Sequence, residues 1–376
     1  MDQLGYMPAV KSNAEDMYLR TTPLPRALES LQQTFLGMYP GSARTLDFPP
    51  PVIVARSISE ETLLPNEGNC RRFRQLSRLF AERAAERCTP SPSSLSLNAN
   101  KVNNLTGNNS EEMAYLNSLW SKWMPEDSPR VAVDAHPRLS GVMDTINASD
   151  AHGPATRLPP EFYDKKGRQL IDLISSDEWY SGYQESNEYR RLGIGGLMGD
   201  VVDRMVHTAV GNGWRSNPSV PEHDKAVKFA LSGCHDTTIA AILGSLHVWD
   251  GKWPPFTSSV AIELFSRSDS TTGVAAASTA ANSSLSRVPL TTFPPGLRKP
   301  LQETYYVRVR FNDRVMRLPG CAKPGNHLPG DETFCTLDAF KGMVDQFTPA
   351  NWTQECVENL GQPLFGADGK EKIASP

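Results

Sequence analysis

Residues 231–243, LSGCHDTTIAAIL, set a thiol, an imidazole and a carboxylate side by side, between an apolar run and a run of helical period. Two chemistries fit these types. His235 could bind an oxyanion while Asp236 delivers a proton to a leaving group. Alternatively, Cys234 and His235 could act as nucleophile and base. Neighbouring side chains on an extended strand point to opposite faces, which opposes the second pairing and reads Cys234 as a buried free thiol. A structural reading competes with both. Asp is a favoured helix N-cap, and Asp236 stands directly before TTIAAIL. His223–Asp224 shows that the same dipeptide also occurs just before a strand-like run, with no chemistry attached. A second candidate is Arg20, in EDMYLRTTPLPRALES, which also follows an apolar run and precedes a helix pattern.

The elements around these residues explain why they belong together. Residues 15–40 read as a strand, a Pro-containing turn and a helix, with Leu28, Leu31, Phe35 and Leu36 on one helical face. Pro25 suits the first helical turn. Residues 225–246 repeat the unit: Val227, Phe229 and Leu231 alternate, then the period becomes helical. Strand-then-helix units build parallel sheets, whose strands present ligand sites at their carboxyl ends. Arg20 and His235–Asp236 both fall at such ends, facing helix N-termini that favour anions. Residues 66–215 are helix-rich and charged and read as an inserted helical cap domain. The remainder, 1–65 and 216–376, forms the core, with two strand-like runs, SSVAIELF and ETYYVRVRF. Residues 266–302, rich in Ser, Thr and Ala, are expected to be disordered.

Composition narrows the classes. The 376 residues suit two domains, and a net charge of -4 argues against nucleic acid as a partner. The apolar runs are too short to span a bilayer, and the first twenty residues form no signal peptide. Six cysteines fit either compartment. Five N-x-[ST] triplets, at Asn104, Asn108, Asn147, Asn282 and Asn351, point toward a secreted glycoprotein. No H-E-x-x-H, C-x-x-C or His/Asp cluster indicates a metal, and no cofactor is expected. LGIGGLMGD (192–200) reads as helix packing rather than a phosphate loop, and NCRRFRQLSRLFAERAAER (69–87) as a solvated basic helix face.

YLRTTPLPRALES together with SGCHDTTIAAIL resembles the histidine acid phosphatase family, the branch with prostatic and lysophosphatidic acid phosphatases and phytases. The likeness continues through NCRRFRQL, RRLGIGGLMGDVVDRM, YYVRVRFNDRVMRLPGCA, FCTLDAF and TPANWTQEC. It implies an α/β fold: a phosphoglycerate-mutase-like parallel-sheet core with helices on both faces, plus the inserted cap. It also implies phosphomonoester hydrolysis through a phosphohistidine. By motif, Arg20 is a phosphate-binding Arg, His235 a second phosphate-binding His, and Asp236 the general acid. Arg26 braces the helix or a carboxylate. Disulfides Cys321–Cys335 and Cys70–Cys356 are implied, leaving Cys88 and Cys234 as thiols. Secretion of the full-length protein follows as well.

One departure is large. The family's nucleophile lies in R-H-G-x-R-x-P, which occurs nowhere in the 376 residues. AHGPATRLP (151–159) is an imperfect imitation, and His152 reads as a cap-loop residue. The resemblance therefore implies an N-terminally truncated member, lacking its first strand, with unpaired backbone and an apolar slot in the sheet. Such a chain is expected not to turn over substrate. The alternative is a non-catalytic pseudophosphatase or phosphate-binding protein. The substrate and the oligomeric state are not legible.

Overall fold

The structure is a computed structural model that describes residues 6–86, 107–209, 227–267, 305–366 and 371. The dipeptide His223–Asp224, residues 268–302 of the Ser/Thr/Ala-rich segment, Cys88, Asn104 and Asn282 lie outside them.

Strand β1 (Met17–Thr21) is the middle of a parallel three-stranded sheet, flanked by β2 (Ile53–Ala55) and β3 (Phe229–Gly233). All five β1 residues are buried, the pattern of a parallel strand covered on both faces. Register places Arg20 opposite Val54 on one side and Ser232 on the other. Helix α1 (Pro25–Met38) follows β1, with Pro25 in its first turn. Ala27, Leu31 and Phe35 are buried, and they join Met17 and Leu19 in a local core. Leu36, expected on that face, is exposed. It lies one position past the stripe set by Ala27, Leu31 and Phe35, whose spacing is i, i+4, i+8. Gly233 is required by the crossing of α1 over β3, since a Cβ there would sit 2.6 Å from the Ala27 carbonyl oxygen.

The main core gathers α2 (Arg71–Glu86), the second half of α5 (Lys165–Glu185), α7 (Gly196–Ala209) and α8 (Asp236–Ser245). Helix α6 (Asn187–Arg190) and a π-helical turn (Arg191–Gly195) lead into α7. A second, antiparallel sheet packs on the same core: β4 (Val260–Ser266), β5 (Tyr305–Phe311), β8 (Asp331–Thr336) and β7 (His327–Leu328), with β6 (Arg314–Val315) on β5. Helix α9 (Leu337–Asp345) closes that side and α10 (Trp352–Glu355) follows it. Among the described residues β3 pairs only with β1, and β4 only with β5.

A separate cluster lies within residues 66–215. It joins α3 (Glu111–Trp120), α4 (Leu139–His152) and the first half of α5, around Trp120 stacked on Phe162. Helix α5 thus belongs to both cores, and it packs against α2, α4 and α8. The Gly-rich LGIGGLMGD segment packs as helix: a Cβ on Gly195 would lie 2.0 Å from the Phe347 carbonyl oxygen. The basic helix α2 is not merely a solvated face. Arg72 is buried, forks onto Glu188 at 2.8 and 2.9 Å, and donates to the Gln362 carbonyl.

Disulfides Cys70–Cys356 and Cys321–Cys335 are present, the first spanning 286 residues and tying the start of α2 to the end of α10. No helix among the described residues is long and apolar enough to cross a membrane.

Candidate active site

Two strand ends bring the candidate residues to one edge of the parallel sheet. Thr21 is opposite Gly233, so the chain leaving β1 runs beside the chain leaving β3. Thr22 then meets His235: the threonine hydroxyl and Nε2 of the imidazole share a hydrogen bond of 3.0 Å. Helix α8 starts here. His235, not Asp236, is its N-cap residue, and Asp236 is the first helical residue. The expected N-cap assignment therefore shifts by one. The His235 amide donates to the Thr238 hydroxyl at 3.4 Å, and the His235 carbonyl accepts from the amides of Thr238 and Ile239.

Arg20 is wholly buried. One Nη donates to Glu61, which is equally buried, and reaches the Thr62 hydroxyl at 3.3 Å. Its Nε and other Nη have no protein partner, and neither does one Glu61 carboxylate oxygen. Buried guanidinium N–H groups are normally all satisfied, so the unpartnered Nε and Nη, both closed off from solvent, leave a hydrogen-bonding demand of the kind an oxyanion can meet. Burial, then the charge of Arg56, pull the Arg20 pKa down, while Glu61 pulls it up. Arg56 completes the basic side, held by Asp200 at 2.8 Å and Thr62 at 3.2 Å.

Arg20 makes no hydrogen bond to His235 or Asp236. What joins them is Thr22 beside His235, and Glu61, whose charge acts on both Arg20 and His235. Burial and the nearby Arg26 push the His235 imidazole below its ordinary pKa of 6.5. Arg26 is exposed. It sits in the first turn of α1, close enough to bias His235.

Asp236 has different partners from His235. One carboxylate oxygen accepts from the Thr237 amide at 2.8 Å, the other from the Trp253 indole N–H at 2.6 Å. The Trp253 amide donates to Asp172 of α5 at 3.3 Å. Burial raises the pKa of the Asp172 carboxyl. The general-acid candidate is therefore linked, through one tryptophan, to the helix shared by both cores.

Residues 9–312 match the family described as histidine phosphatase superfamily (branch 2). The chain belongs to that branch. A protein named probable acid phosphatase from Schizosaccharomyces pombe is 37% identical over 94% of this branch 2 chain and 71% of its own length. Human prostatic acid phosphatase is 22% identical over 91% of the chain and 71% of its own length. Human lysophosphatidic acid phosphatase type 6 is 23% identical over 69% of the chain and half of its own length. Among solved structures, a phytase from Citrobacter braakii aligns over 94% of the chain and 83% of its own, with a TM-score of 0.50 and 11% identity, a likeness of fold.

For this branch 2 chain the remaining candidates separate cleanly. Cys234 is a free thiol, half-buried, and burial pushes it up to about 11, so it is not a thiolate nucleophile near neutrality. His152 ends α4, exposed, with its ring bonded to the Ala148 carbonyl; it is helical, not a loop residue. Sequence reasoning missed Thr22, Glu61 and Trp253. Thr22 was within reach, two residues past Arg20 at a strand end. Glu61 and Trp253 sit in turns whose spacing carries no chemical signature. No group of three or more His, Cys, Asp or Glu among the described residues could hold a metal.

Proposed function

We propose that this chain carries the phosphoryl-gripping and proton-donating part of an acid phosphatase site. Arg20 and His235 bind the phosphoryl oxygens, and the α8 N-terminus adds backbone dipole. Asp236 protonates the leaving oxygen of a phosphomonoester. The observation that carries the reading is the buried Arg20 with two open N–H donors, at the sheet edge where Thr22 holds His235.

The covalent route needs a nucleophilic His, and R-H-G-x-R-x-P is absent from the 376 residues. On their own these residues bind phosphomonoesters without turning them over. Purified chain is assayed with an aryl phosphate between mildly acidic and neutral pH. The expected result is no sustained release. Sustained hydrolysis that disappears in Asp236→Ala would overturn this part and reveal a substitute nucleophile. The inserted helical region, 66–215, shapes the substrate side, since α5 reaches Trp253. Two disulfides fit maturation in an oxidising secretory compartment.

A further inference from the structure

The environment of Asp236 on its leaving-group side is aromatic. Trp253, half-buried, bonds the carboxylate. Trp179 packs edge-on against it with ring centroids 6.0 Å apart, and Tyr180 lies behind at 4.9 Å. Trp249 closes on Tyr180 at 5.6 Å. The segment that carries Trp253 is fixed at several points. The Trp249 indole donates to the Lys252 carbonyl, the Lys252 amide to Asp250, and the Trp253 amide to Asp172. The wall is thus built before a ligand arrives, which keeps the ordering penalty of binding small.

Charge on this side is mostly acidic. Asp172 and Asp236 both bond Trp253, and the charge of Asp250 raises Asp172 while Lys252 and Arg168 lower it; Arg314 reaches Asp250 at 3.8 Å. Lys252 is exposed, and Arg138, stacked over Trp179, is already engaged by the buried Glu178. A leaving group bearing further phosphates would meet carboxylates here, a like-charge arrangement that disfavours it. A flat apolar leaving group would meet indole faces and edges.

We propose that Trp253 and Trp179, backed by Tyr180, form a leaving-group subsite that selects aryl and aralkyl phosphomonoesters over inositol polyphosphates. The proposal rests on the reading of Asp236 as the acid, because that is what defines this side as the leaving-group side. Protonation by Asp236 would leave a neutral alcohol or phenol against the wall.

Calorimetric binding to the full chain tests it without needing turnover. The probes are inorganic phosphate, benzylphosphonate and inositol hexakisphosphate, with wild type, Trp253→Leu and Trp179→Leu. Benzylphosphonate is expected to bind about tenfold more tightly than phosphate, the scale of one aromatic contact plus its burial. Each Leu variant should bring the two within about threefold. Trp179→Leu, which leaves the Asp236 bond untouched, carries the test if Trp253→Leu does not fold. Equal wild-type affinity for phosphate and benzylphosphonate overturns the subsite and leaves the phosphate site standing. So does tighter binding of inositol hexakisphosphate, or a preference that survives both substitutions. Failure of every probe to bind removes the phosphate site and the subsite together.

Discussion

At His235, burial and Arg26 work in one direction: the ring releases its proton below pH 6.5 in the free protein. A phosphate is held better by the imidazolium than by the neutral ring. The affinity ratio between wild type and His235→Gln is therefore expected to grow as pH falls from 8 to 5, and to approach a constant small value above the ordinary pKa. Calorimetry at four pH values measures it, and a flat ratio would remove His235 from phosphate binding. Glu178 gives the opposite kind of pH signal, one of stability. It is buried against Arg138, and burial raises its carboxyl to about 7 from 4.5. The folded state binds the extra proton between those values, so stability falls as pH rises through that window. The span is worth up to about 3 kcal/mol. Urea unfolding at pH 5 and pH 8 should show this loss in wild type and little of it in Glu178→Gln. Equal loss in both proteins would place the pH dependence elsewhere.

Among the elements, the two strand–turn–helix units were legible because their periods switch cleanly: Met17–Thr21 into Pro25–Met38, and Phe229–Gly233 into Asp236–Ser245. That placed Arg20 and His235 at one sheet edge. What the sequence could not show is long-range pairing: Glu61 reaches Arg20 across 41 positions, and Trp253 reaches Asp236 from a turn. Neither contact follows from any local period. The side-chain direction of Asp236 was equally hidden, since its two acceptor bonds depend on tertiary neighbours. The LGIGGLMGD pattern reads as helix packing, and the structure gives the reason at Gly195. Gly195→Ala is expected to destabilise by about 2 kcal/mol or more, because the new methyl would collide with the Phe347 carbonyl. Gly37→Ala, at an exposed position of α1 with open space around its Cβ position, is expected to stabilise by about 0.5–1 kcal/mol. Thermal midpoints of the two variants should move in opposite directions, and a matched fall would contradict the packing account.

Across the whole molecule, one covalent link fastens the start of α2 to the C-terminal elements. Cys70–Cys356 closes a loop spanning 286 residues. On the chain-entropy account this is worth about 5–6 kcal/mol, against about 3 kcal/mol for the 14-residue span of Cys321–Cys335. Reduction is thus expected to lower the urea midpoint by more than loss of the short loop alone, as a Cys321→Ala, Cys335→Ala double variant would show. In the same core α5 packs against α8, and Trp253 bonds both Asp172 of α5 and Asp236 of α8. The central claim concerns a phosphate held between Arg20 and His235. The most direct measurement is a crystal structure of the chain with inorganic phosphate at pH 5.5. The account predicts one phosphate whose oxygens lie within hydrogen-bond distance of both the open Arg20 donors and the His235 ring. A phosphate bound elsewhere, or an Arg20 guanidinium too far from His235 for one phosphate to touch both, would contradict it.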